Sequence, residues 1–173
     1  MLGRERAVST LAPDYAELIG GYNGAISVPV RTLDDIIDEF GEPAFVKIDV
    51  EGYDQEVLRG LSRAVPSLSF EYHGVLPERT DGCVRELNRV GDYLFNGVIG
   101  ESTEWLVSEF GAPNRVVEAI GELATNDRKL YGDIHAIHIL NRSAARTFVT
   151  RLVASWLVAC ASMPQPSPRG QAR

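Results

Sequence analysis

Apolar positions along the chain change period several times, and each change marks an element. Within RTLDDIIDEFGEP, Leu33, Ile36, Ile37 and Phe40 recur at i, i+3, i+4 and i+7, one stripe of an amphipathic helix. Thr32 can cap its first turn, Asp34 and Asp35 suit its positive end, and Gly41 followed by Pro43 supplies a stop. The β-branched run ISVPV (26–30) before it reads as a strand. After it, AFVKIDV carries Phe45, Val46, Ile48 and Val50 in a strand of the kind covered on both faces. YDQEVLRGLSRAV then spaces Val57, Leu58, Leu61 and Val65 as a helix, with Gly60 able to end it early. SLSFEYHG is the next strand, with Leu68, Phe70 and Tyr72 on one face and Glu71 and His73 on the other.

Further along, residues 83–91 (CVRELNRVG) form a helical pattern, DYLFNGVIG a strand, and ESTEWLVSEF a strand with loop ends. PNRVVEAIGELA opens on Pro113 and sets Val116, Val117, Ile120 and Leu123 on one helix face, and residues 133–140 (DIHAIHIL) make a last strand. Strands and helices therefore alternate, which predicts an α/β domain with right-handed parallel crossovers. The boundaries expected are an N-terminal extension over 1–25, the domain over 26–141, an amphipathic helix over 142–163 and a disordered tail over 164–173. In that helix Phe148, Val149, Leu152, Val153, Trp156 and Leu157 share a stripe opposite Arg146, Thr150, Arg151 and Ser155. Docking onto the domain or onto a second copy in a homo-oligomer is the expected use; membrane contact is the sharper alternative. Arg151 keeps the uninterrupted apolar run well short of the ~20 residues that a membrane-spanning helix needs.

Composition narrows the function classes. A chain of 173 residues with 45% hydrophobic and 24% charged positions supports one domain with a core. Seventeen basic against 24 acidic residues leave a net charge of −7, which argues against nucleic acid as a partner. Cys83 and Cys160 have neither metal-ligand spacing nor a disulfide framework, and MLGRERAVSTL lacks an apolar run of signal-peptide length, so a cytoplasmic setting is expected. Cys83 reads as core. His135 and His138 fall on opposite faces of one strand and do not suggest a shared metal.

The candidate chemistry lies in VKIDVEG. Lys47, Asp49 and Glu51 occupy alternate positions and so one strand face, which in a covered parallel sheet is dry. An unpaired buried carboxylate costs several kcal/mol, so these groups must be paired, wet or in use. Open α/β sheets bind ligands in the crevice beyond the carboxyl ends of their strands, where Asp49 and Glu51 fall. The structural alternative pairs Lys47 with Asp49 and lets Glu51 simply begin the next helix.

VPVRTLDDIIDEFGEPAFVKIDVEGYDQEVLRGL followed by LSFEYHG resembles the hallmark of the FkbM-type S-adenosylmethionine-dependent methyltransferases, in which a T-L-D-D helix precedes a K-I-D-V-E-G strand end and an E-V-L-x-G helix. The likeness is dense over 28–74 and thinner as far as Leu140, with GDIHAIHIL similar to the closing strand. It implies a class I methyltransferase fold: a mostly parallel, seven-stranded Rossmann-like sheet ending in an antiparallel hairpin, with KIDVEG and SFEYHG as the fourth and fifth strands and their exits. It also implies S-adenosyl-L-methionine as cofactor and methyl transfer to a hydroxyl of a small molecule or sugar.

For such transfer the chain must hold an acceptor oxygen and help remove its proton. Asp49 is the first candidate, Glu51 the second, and His73 an alternative base. Asp49 and Gly52 would face the cofactor, and Glu71 and His73 the substrate. The family's Gly-rich cofactor strand-loop has no counterpart here: ELIGGYNGAI offers Gly20, Gly21 and Gly24 without a β-branched strand leading in, and reads as a turn. The chain thus corresponds to the C-terminal part of the family's domain, with the Asp49 strand at an exposed edge. Two other functions fit the same residues. One is a non-catalytic methyltransferase remnant or interaction module; the other is a metal-dependent transferase holding Mg²⁺ through Asp49 and Glu51.

Overall fold

The computed structural model of the protein describes residues 2–3, 10–18, 22–127 and 129–139. Residues Met1–Leu140 form one unit, and the expected amphipathic helix and tail lie outside the described residues. The elements are β1 (Leu2–Gly3), α1 (Pro13–Leu18), β2 (Tyr22–Gly24), α2 (Leu33–Phe40), β3 (Val46–Ile48), α3 (Asp54–Arg59), β4 (Ser67–His73), α4 (Pro77–Val90), β5 (Tyr93–Ile99), α5 (Pro113–Ala124) and β6 (Tyr131–His138). β1 and β2 form a small antiparallel pair. The main sheet has the order β3-β4-β6-β5. β3 runs parallel to β4, and β6 lies antiparallel between β4 and β5.

The two faces of this sheet differ. Ile48, Leu68, Phe70, Tyr72, Tyr93, Phe95, Ile134 and Ala136 belong to one buried cluster, which Ile37, Leu58, Leu61, Cys83, Val84, Leu87, Val116 and Ile120 complete from the helices and the α3–β4 connection. The alternate positions, Lys47, Ser69, Glu71, His73, Asp133, His135 and Asn96, share the other face, as their cross-strand register requires. Period-two patterning therefore separates a core face from a polar face, and the polar one carries the candidate chemistry. His135 and His138 do fall on opposite faces: His135 packs against Phe45 and Trp105, His138 against Tyr93.

Helix α2 forms where its stripe predicts. Thr32 accepts from the Asp35 N–H, Asp35 reaches back to the Thr32 N–H, and the Gly41 N–H donates to Ile37 in a left-handed cap at φ 92°. Helix α3 stops at Arg59, well before Val65. Gly60 lies so close to α2 that an added methyl group would stand 3.2 Å from Thr32 Cβ, and its carbonyl accepts the Asp34 N–H. Tertiary contact thus ends the helix, and Leu61 and Val65 reach the core from an irregular connection.

Two expected strands are corrected. Ile26, Val28 and Val30 are 62%, 46% and 72% exposed in unpaired chain, because β-branched character alone supplies no pairing partner. ESTEWLVSEF is irregular, yet it covers the outer edge of β5. Leu106 donates to Gly97, Gly111 and Phe95 exchange backbone bonds, and buried Asn96 clamps both the N–H and the carbonyl of Val107. At the opposite edge, β3 has no outer strand among the described residues. Lys47 lies there, paired with Asp133 and, at 3.8 Å, with Asp49, and its charge discourages further strand addition.

Candidate active site

β3 ends at Ile48, and the chain then bends sharply. Glu51 adopts φ 52° and Gly52 φ 84°, so the alternation that would place Glu51 beside Asp49 is broken at the bend. Asp49 keeps the Lys47 side, with a side chain 53% exposed. Glu51 instead turns toward β4, where Tyr15 of α1 donates to its Oε2 at 3.2 Å. The sequence alternative in which Lys47 pairs with Asp49 is thus present at an exposed site, and Glu51 has a different role.

β4 delivers the partners. Glu71 and His73 lie two residues apart on the polar face, and His73 Nε2 approaches Glu71 Oε2 at 3.1 Å. The same nitrogen lies 2.8 Å from the Tyr15 hydroxyl oxygen. Because that hydroxyl donates to Glu51, its oxygen accepts from His73 Nε2–H, which the Glu71 Oε2 shares, so Glu51, Tyr15, His73 and Glu71 form one connected group. Burial opposes a charge on His73, but the hydrogen bond and negative charge of Glu71, joined by Glu51 and Asp54, hold its pKa above the ordinary value. Burial, then the neighbouring Glu71, raises the pKa of Glu51, while its hydrogen bond from Tyr15 pulls the other way. Burial and the Glu51 and Glu71 charges keep the Tyr15 phenol protonated far above neutral pH.

Three further groups belong to the crevice. Asp54 is 5% exposed, and burial raises its carboxyl to about 6. Arg79 donates to the carbonyl of Gly52 and stands over the Tyr15 ring, 5.8 Å from its centroid. Thr10 donates to the Glu51 carbonyl at 2.6 Å and accepts from Ala12 N–H, which fastens residues 10–18 as a strap across the strand ends. A cleft of about 380 Å³ continues beside the strap, lined by Pro13, Asp54, Glu71, His73, Arg79 and Cys83 among others. The structure therefore gathers Glu51, Gly52, Glu71 and His73, and leaves Asp49 outside the hydrogen-bonded group. Periodicity could not have nominated Tyr15, which arrives from a segment far away in sequence, nor Asp54 and Arg79, which carry no spacing signal of their own.

Among the described residues no three His, Cys, Asp or Glu side chains come together in a way that could hold a metal ion. Asp49 and Glu51, the pair a metal-dependent transferase would need, engage Lys47 and Tyr15 respectively. Gly24 ends β2, and Gly20 and Gly21 lie outside the described residues. No helix among the described residues is long and apolar enough to cross a membrane.

No curated protein and no solved structure matches the chain. The family model of the methyltransferase FkbM domain matches residues 3–105, a span that takes in the strap, the Glu51–Gly52 bend, β4 and the Arg79 helix. On that match, and on the crevice those residues build, the chain belongs to the FkbM methyltransferase family.

Proposed function

We propose that the chain catalyses S-adenosyl-L-methionine-dependent methyl transfer to a hydroxyl oxygen of a small molecule or sugar, at the crevice beyond β3 and β4. One observation carries the reading: a hydroxyl, that of Tyr15, is held between the Glu51 carboxylate at 3.2 Å and His73 Nε2 at 2.8 Å. An acceptor hydroxyl in that place donates its proton to Glu51, whose raised pKa makes it a stronger base, while His73 N–H stabilises the negative charge growing on the oxygen. Glu71 positions the imidazole. The strand order, with β6 antiparallel between β4 and β5, supports a class I Rossmann-like sheet in which β3 and β4 are the fourth and fifth strands.

The residues present suit the cofactor. Its cationic sulfur is favoured by the carboxylates of Asp54 and Glu71, which line the cleft. Asp49 and Gly52 are the residues of this chain that would face it. When bound, the cofactor supplies an electrophilic methyl group on a positively charged sulfur. Calorimetric titration with S-adenosyl-L-homocysteine tests the reading: saturable binding is expected, and no saturable heat sinks it for this chain, leaving the non-catalytic module.

A further inference from the structure

We infer that the crevice beyond β3 and β4 is a binding site for a phenol, whose place in the free chain is held by Tyr15. Its standing as an acceptor site rests on the methyl-transfer reading above; its standing as a phenol site does not.

The surroundings of the ring are built for an aromatic ring as well as for a hydroxyl. One face rests on the Cα of Gly52 so closely that a methyl group there would stand 2.7 Å from Tyr15 Cγ and 2.8 Å from Cδ2. The Arg79 guanidinium carbon lies 5.8 Å from the ring centroid, within cation–π range. The His73 ring packs at 5.3 Å with a 49° tilt. At the far end the oxygen meets both Glu51 and His73. An aliphatic alcohol would use only the last two partners and leave the Gly52 floor and Arg79 without a ring against them. A phenol uses all four.

The strap is also separable from the fold. Tyr15 and Ala12 are 3% and 5% exposed, yet neither belongs to the main hydrophobic cluster; among the described residues their contacts are with the crevice. Helix α1 is only six residues long and cannot hold itself together in water. The cleft of about 380 Å³ beside the ring, lined by Ala12, Tyr53, Leu76 and Thr80 among others, gives room for substituents on a phenol larger than tyrosine's own side chain. A ligand that enters must displace the phenol of Tyr15, and its affinity is lowered by the fraction of chains in which the strap is bound.

The test uses the full chain and p-cresol as the probe, with toluene (ring without hydroxyl) and cyclohexanol (hydroxyl without aromatic ring) as comparisons. Tyr15→Ala is expected to bind p-cresol at least about tenfold more tightly than the wild type, Tyr15→Phe to an intermediate degree, and both to prefer p-cresol over either comparison ligand. In the wild type, p-cresol is expected to speed chymotryptic cleavage after Tyr15, read by mass spectrometry. The inference is overturned if cyclohexanol binds Tyr15→Ala as well as p-cresol does, or if neither Tyr15 variant binds p-cresol more tightly than the wild type. Tyr15→Phe keeps the ring on Gly52, so it reports even where Tyr15→Ala loses structure. A methyl-transfer assay separates the two readings: p-cresol bound while no phenolic or aliphatic hydroxyl is methylated leaves the phenol site and removes the transferase, whereas an aliphatic alcohol methylated without p-cresol binding does the reverse.

Discussion

Replacing Asp54 by Asn gives a prediction whose sign depends on pH. Asp54 opens α3 in a position 5% exposed, and its Oδ1 has no hydrogen-bond partner. Burial is the largest cause that raises its carboxyl from 3.8 to about 6, with the charge of Glu71 adding to it and backbone hydrogen bonds at Asp54 and Glu71 opposing it. Between those two values the folded chain holds a proton that the unfolded chain has released, so stability falls as pH rises through this window. A rise of that size is a penalty of about 3 kcal/mol at neutral pH. The Asn variant has no such titration. It carries instead a pH-independent cost of about 1–3 kcal/mol for an amide N–H placed where a partner is missing. The stability difference between variant and wild type should therefore swing by about 3 kcal/mol in favour of the variant between about pH 3.5 and about pH 7.5, whatever the constant term. Urea unfolding followed by circular dichroism across that range measures it. Two curves that stay parallel to within about 0.5 kcal/mol, or a swing of the opposite sign, would refute the placement of Asp54 as a buried acid whose Oδ1 has no partner.

Two further outcomes follow from the crevice. Gly52→Ala puts a methyl group at φ 84° against the Tyr15 ring, so it should lose about 1–2 kcal/mol of stability and free Tyr15 for chymotryptic cleavage; unchanged protection of Tyr15 would contradict the packing described. His73 has a pKa raised above 6.5 by Glu71, so the stability it contributes is complete below that pH and is lost as pH rises through its folded value. The gap between wild type and His73→Asn, read by thermal melts, should accordingly shrink above pH 6.5, and a gap that widens there would mean His73 is held neutral.

Much of the fold was legible because single-sequence periodicity reports which face of an element meets the core. The Thr32-capped helix α2, the alternation through Leu68, Phe70 and Tyr72, and α5 behind Pro113 recur in the structure, although of the stripes only Ile37 of α2 and Val116 and Ile120 of α5 are buried, while Ile36, Phe40 and Leu123 stay exposed. What failed was decided by tertiary contact. ISVPV has strand propensity and no strand beside it, and α3 yields at Gly60 to the approach of α2. The candidate site was half legible on the same grounds. Strand-end carboxylates in VKIDVEG pointed to the crevice described above, and His73 and Glu71 came from the alternation of β4. The left-handed backbone at Glu51 and Gly52 is invisible to period-two alternation, which puts Asp49 and Glu51 on one face, whereas in the structure Glu51 joins Tyr15 and His73 and Asp49 stays with Lys47. Tyr15 and Arg79 come from elements whose positions only the folded chain specifies.

The central claim is that Glu51 and His73 handle the proton of an acceptor hydroxyl during methyl transfer. Its most direct test is a transfer assay with radiolabelled S-adenosyl-L-methionine and a panel of phenolic and aliphatic hydroxyl acceptors, run on the wild type, Glu51→Gln and His73→Asn side by side. The account predicts label in an O-methylated product with the wild type and a loss of at least about a hundredfold in each variant, the usual contribution of a positioned acid or base. Transfer that proceeds undiminished in both variants would contradict it.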